Sequence, residues 1–197
     1  MLPPESLKLL YNSLILPHLQ YGLILWGNCT SQNRKRITTV QKRIVRIVSK
    51  SYYRAHTEPR MKTLGILRME DLYKHQCNKL VYDCLREIAP KEIQGLFQVK
   101  AETNDYTLRT STQSPQDIEE TNFKSKQGKS SFRAQAPKLW NNLTTQIREA
   151  ESKNIFKNQL KREALAGYTE EVECKNPLCR DRRHHVPNPD AWAVPFF

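Results

Sequence analysis

The sequence predicts a mainly α protein, a small helical bundle followed by a C-terminal helical hairpin, with a long irregular linker between the two. Three observations predict it. Apolar residues recur at helical spacing in several separate stretches, no stretch shows the alternation of a half-buried strand, and residues 91–131 and 168–197 carry no periodicity. The 197 residues fit one domain with appendages, which excludes two large lobes. Hydrophobic residues make up 38%, below a usual ~45–50%, so a modest core with solvated flanks is expected. The expected organisation is a helical domain over 1–90, a linker over 91–131, a C-terminal helical segment over 132–167 and an irregular tail over 168–197.

In order along the chain, residues 5–16 form an amphipathic helix through Leu7, Leu10, Tyr11, Leu14 and Ile15, bent or restarted at Pro17. A second apolar run through Tyr21, Leu25 and Trp26 ends at Gly27-Asn28. Residues 34–50 place Ile37, Val40, Ile44, Ile47 and Val48 in one arc of about 100°, a core-facing stripe, with Ser31 or Asn33 as its cap. Residues 70–88 gather Tyr73, Cys77, Leu80, Val81, Cys84 and Ile88 on another apolar face, which makes Cys77 and Cys84 buried thiols. After the linker, Pro137 sits at the first turn of a short helix bearing Leu139, Trp140, Leu143 and Ile147. Ser152 caps a last helix bearing Ile155, Phe156, Leu160 and Leu165, which Gly167 ends.

The charge is local. Lys and Arg number 32 against 20 Asp and Glu, a net +12, yet residues 31–62 alone hold ten basic residues and a single acid, Glu58. On the 34–50 helix Lys35, Arg36, Lys42, Arg43, Arg46 and Lys50 share an arc of about 120° away from the apolar stripe. Like charges so close repel one another unless an anion offsets them, so this face is a candidate surface for nucleic-acid phosphates. Arg54 extends it, and Tyr52 and Tyr53 could stack on bases or pack on a neighbouring helix. The bland alternative is a solvated basic face.

Several chemistries lack residues. The acid pairs Glu70-Asp71, Glu119-Glu120 and Glu170-Glu171 have no glycine turn or apolar strand to present them, so two-metal catalysis is not expected and they read as capping or solvated groups. Gly128-Lys129-Ser130 matches the end of a phosphate-binding loop, but Phe123 occupies the position of its first glycine. Cys174, Cys179, His184 and His185 are the right ligand types for tetrahedral zinc at unusual spacing, beside several cations; a basic patch with unpaired thiols is the alternative. No other cofactor is implied. No apolar stretch approaches the ~20 residues of a membrane span, and no secretory signal opens the chain, so a cytoplasmic or nuclear location is expected.

Four phrases in order, Leu10-Tyr11-Asn12-Ser13-Leu14-Ile15-Leu16-Pro17, Tyr21-Gly22-Leu23-Ile24-Leu25-Trp26-Gly27, Val40-Gln41-Lys42-Arg43-Ile44-Val45-Arg46-Ile47 and Tyr53-Arg54-Ala55-His56-Thr57, resemble the region after the catalytic palm in reverse transcriptases of non-LTR retrotransposons, the jockey-like and related LINE elements. Ser131-Phe132, Ala136-Pro137-Lys138-Leu139-Trp140-Asn141-Asn142-Leu143 and Phe156-Lys157-Asn158-Gln159-Leu160-Lys161 resemble the closing segment of the same proteins. The similarity covers residues 3–165. It implies a thumb and C-terminal region, helical, which helps hold template and primer for an RNA-directed DNA polymerase. The palm with its Asp-Asp metal motif is absent from this sequence, so the resemblance implies a noncatalytic, truncated piece of a transposable element. Its partners would be RNA or DNA without sequence specificity, and a separate palm-bearing chain. A structural module that packs on a palm or another protein, with no nucleic-acid role of its own, is the alternative.

Overall fold

The computed structural model describes residues 2–100 and 117–168. The protein is mainly α. Helix α1 (Pro4–Leu10) runs through a π-helical turn (Tyr11–Ile15) into α2 (Leu16–Gln20), so the helix does not break at Pro17. Proline has no N–H to donate and its ring crowds the carbonyl one turn back; the wider π turn just before it relieves that clash. Gly22, at φ 58°, then turns the chain into α3 (Leu23–Trp26).

Helix α4 (Ser31–Val48) begins three residues before the expected 34, and neither Ser31 nor Asn33 caps it. Thr30 holds the N-cap position without a side-chain hydrogen bond. The core-facing stripe also lies elsewhere. Gln41, Val45 and Val48 are buried, Ile37 and Ile44 are half-buried, and Val40 and Ile47 are 53% and 50% exposed. The shift has a cause in Gln41, whose Nε2 donates to the Leu67 carbonyl at 2.8 Å and to the Tyr11 hydroxyl at 3.2 Å, turning this polar side of the helix inward.

Short α5 (Glu58–Leu64) leads through Gly65, at φ 65°, to α6 (Met69–Leu85), which stands at the centre of the molecule. Its N-terminal half packs Met69, Leu72, Tyr73 and Cys77 with Leu23 and Leu67. Its C-terminal half packs Val81, Tyr82 and Cys84 with Trp140, Phe156 and Leu160. Because α6 is enclosed from several sides, Asn78 is buried too, while Ile88, expected on its apolar face, lies beyond its end and is 58% exposed. A third cluster joins Tyr11, Val45, Val48, Met61, Ile66 and Tyr168.

The expected linker is structured where it is described. Helix α7 (Lys91–Gln94) and α8 (Lys126–Ser130) fall within 91–131, Val99 and Ile118 form an antiparallel bridge, and Phe97 and Ile118 are buried with the α6 cluster. Two polar anchors hold this segment. The Asn141 side chain exchanges hydrogen bonds with the Ile118 backbone at 2.9 and 3.0 Å, and Asp117 pairs with buried Arg148 at 2.5 Å. The C-terminal helices α9 (Phe132–Asn141), α10 (Thr145–Arg148) and α11 (Lys153–Ala166) share the α6 core, so 1–90 and 132–167 are joined by packing. Pro137 lies inside α9, fully buried, and not at its first turn. Ser152 caps α11 as expected, its Oγ accepting from the Ile155 N–H at 3.3 Å.

Candidate nucleic-acid interface

The outward side of α4 follows from the same rotation that buries Gln41 and Val45. Lys35, Arg36, Lys42 and Arg43 are exposed there, no acid occurs on the helix, and none of the four has an ion-pair partner among the described residues. Val40 and Ile47 lie at one edge of this face, so it is cationic with an apolar margin. Thr38 and Thr39 turn their hydroxyls back onto the Arg34 and Lys35 carbonyls at 2.9 and 2.8 Å and do not compete for the cations.

Arg46 differs from its neighbours. It is half-buried, its Nε donates to the Ala55 carbonyl at 2.9 Å, and burial lowers its pKa, with Tyr53 opposing and Arg60 and Arg43 adding repulsion. Arg60, which the helical wheel of 34–50 could not reach, donates to the His56 carbonyl at 2.6 Å and to the Ser51 hydroxyl. Together the two arginines fasten residues 51–57 against the C-terminal end of α4. That loop carries Tyr52, Tyr53 and Arg54 outward, the tyrosines 46% and 60% exposed. Lys50 is exposed and closes α4 in a left-handed conformation at φ 49°. The structure thus brings Lys35, Arg36, Lys42 and Arg43 onto one helix face and Lys50, Tyr52, Tyr53 and Arg54 to its end, with Arg46 holding the junction.

Of the acid pair Glu70-Asp71, Glu70 is exposed in the first turn of α6, as a solvated group would be, but Asp71 is not. Asp71 is buried, its Oδ2 accepting from Arg68 Nε at 2.9 Å and from the Tyr168 hydroxyl at 2.8 Å, and the Arg68 guanidinium lies 4.3 Å from the Tyr168 ring centre. Asp71 thereby ties the end of α11 to the start of α6. Gly128-Lys129-Ser130 forms the short α8, with Ser125 Oγ accepting from Gly128 N–H. Cys77 and Cys84 are buried free thiols; burial pushes the Cys77 pKa up to about 11. Cys174, Cys179, His184 and His185 lie outside the described residues. Among the described residues no helix is long and apolar enough to cross a membrane, and no group of three or more His, Cys, Asp or Glu side chains is placed to hold a metal ion.

Comparison with protein-family models, with curated protein sequences and with solved structures finds no match for this chain.

Proposed function

We propose that the protein binds RNA or DNA without catalysing its synthesis, through the outward face of α4, in the manner of the thumb region of the non-LTR reverse transcriptases that its sequence resembles. The observation that carries this reading is the set of exposed cations Lys35, Arg36, Lys42 and Arg43, without ion-pair partners among the described residues, on one side of a helix without acids. Such a set lowers its own repulsion by displacing counterions from a phosphate backbone. Lys50 and Arg54 extend the phosphate contacts and Tyr52 and Tyr53 offer rings to unpaired bases. Fluorescence anisotropy with mixed-sequence RNA and DNA tests it. Log affinity against log salt should fall with a slope of about −3 to −5, the release expected for four to six phosphate contacts. Absence of binding at low salt overturns the reading.

A second reading draws on a different surface. Leu9, Leu14, Tyr21 and Leu25 are 61% to 86% exposed on the N-terminal elements, an apolar outside that suits a protein partner such as a palm-bearing chain. A stoichiometric complex with such a chain, lost in Leu14→Asp and Leu25→Asp, would support it; no complex with the parent protein would sink it.

A further inference from the structure

The phrase Tyr21–Gly27 builds a wall. The Trp26 indole Nε1 donates to the Tyr21 carbonyl at 2.7 Å, which fixes the ring, and the left-handed Gly22 makes the turn that allows it. A Cβ on Gly27 would stand 2.3 Å from Tyr73 Cδ2 and 2.6 Å from the Leu23 carbonyl oxygen, so the Tyr73 ring lies on bare backbone. Beside these two aromatic residues, between α3, the start of α4, α6 and α9, is a cleft of about 250 Å³. That is just below the ~300–1,000 Å³ range of drug-sized ligand pockets, room for a single aromatic heterocycle.

The polar groups around it fall into two sets. Asn28 and Gln135 give their side-chain N–H groups to the Ser130 and Lys129 carbonyls, which leaves their side-chain oxygens as acceptors, and Glu70 adds a carboxylate. Arg34 and Lys74 also line the cleft; Lys74 Nζ lies 3.7 Å from Asp71 Oδ1, whereas Arg34 has no ion-pair partner among the described residues. Rings, apolar walls, acceptors and one unpaired guanidinium match a nucleobase with amino donors on its edge and a phosphate attached. Arg34 lies about 100° around α4 from Lys35, beside the cationic face, so a strand whose phosphates lie on that face has to wrap around the N-terminal end of the helix to enter the cleft.

We propose that this cleft captures one unpaired nucleotide of a strand bound on α4, its base against Trp26 and Tyr73 and its phosphate at Arg34. The proposal rests on the phosphate-binding role of α4. The full chain is titrated with guanosine 5′-monophosphate, with ribose 5-phosphate as the comparison, and binding is followed by NMR shifts of residues lining the cleft. The nucleotide should bind and the sugar phosphate should not. Arg34→Gln, at the edge of the cleft, should weaken nucleotide binding about tenfold, and Trp26→Leu at least as much, with circular dichroism reporting that each variant is folded. Single-stranded oligonucleotide should displace the nucleotide and blunt duplex should not.

Equal binding of ribose 5-phosphate would reduce the cleft to an anion site, and displacement by duplex would overturn the assignment to an unpaired base. Absent nucleotide binding, with salt-dependent RNA binding intact, refutes the cleft alone. Nucleotide binding without any polynucleotide binding refutes the role of α4, and the proposal with it.

Discussion

Lys50 and Glu87 are the two described non-glycine residues with positive φ, 49° and 56°, and both end a long helix. After α4 the Lys50 N–H donates to the Ile47 carbonyl and the Ser51 N–H to the Arg46 carbonyl; after α6 Glu87 and Ile88 repeat the pattern onto Cys84 and Asp83. This closure favours glycine because a Cβ crowds the left-handed conformation. Lys50→Gly and Glu87→Gly should each raise stability by about 0.5–1 kcal/mol in urea denaturation. Only Lys50→Gly should also flatten the salt dependence of nucleic-acid binding, by about 0.7–0.9 of a slope unit. The sequence placed Lys50 inside the helix because the usual sign of a left-handed end, glycine, is missing there. His75 was equally illegible. Its Nε2 lies 3.4 Å from the Lys157 carbonyl and its buried Nδ1 has no hydrogen-bond partner among the described residues. Burial lowers its pKa below the ordinary 6.5, reinforced by Lys79, Lys161 and Lys157 and opposed by that carbonyl. The folded protein therefore holds His75 neutral while the unfolded chain takes up a proton as pH falls through about 6.5, so stability present at pH 7.5 is lost toward pH 5.5. His75→Gln should shrink that loss by up to about 1 kcal/mol; an unchanged pH dependence would contradict it.

At the scale of elements, α4 shows what periodicity can and cannot give. The wheel found a long amphipathic helix and its cationic side, because repeated Lys and Arg without acids stand out at any rotation. It misplaced the packing face, since Val40 and Ile47 look as apolar as Val45 and Val48, and Gln41 looks like a surface residue. Which of them turns inward is decided by neighbours distant in sequence, the Tyr11 hydroxyl and the Leu67 carbonyl, that accept from the Gln41 Nε2. Val45→Ala should therefore cost about 2–3 kcal/mol in urea denaturation, whereas Ile47→Ala should cost under about 1 kcal/mol. Equal costs would restore the expected stripe. The same blindness applies to Pro137, which reads as a helix start but sits fully buried within α9.

Across the whole molecule, the helical class was legible from spacing and the joining of its parts was not. Residues 91–131 are polar enough to read as a linker, yet Asp117 is buried against Arg148 and the Ile118 backbone is paired by Asn141, contacts that polar sequence alone does not announce. The candidate site was more legible than the core because it is made of charge on one element, although Arg60 and the cleft beside Arg34 needed the third dimension. The central claim is that phosphate binding belongs to α4 and not to the net charge of +12 spread over the chain. One paired salt titration tests it. Lys35, Arg36, Lys42 and Arg43 are replaced together by Gln, and in a second protein the exposed Lys126, Arg133, Lys138 and Arg162 are replaced by Gln, an equal loss of charge elsewhere. With both variants folded by circular dichroism, the α4 variant should bind RNA and DNA far more weakly, its slope flattened by about three units, while the second should stay within about one unit of the parent. Equal flattening in both, or a parental slope in the α4 variant, would contradict the account.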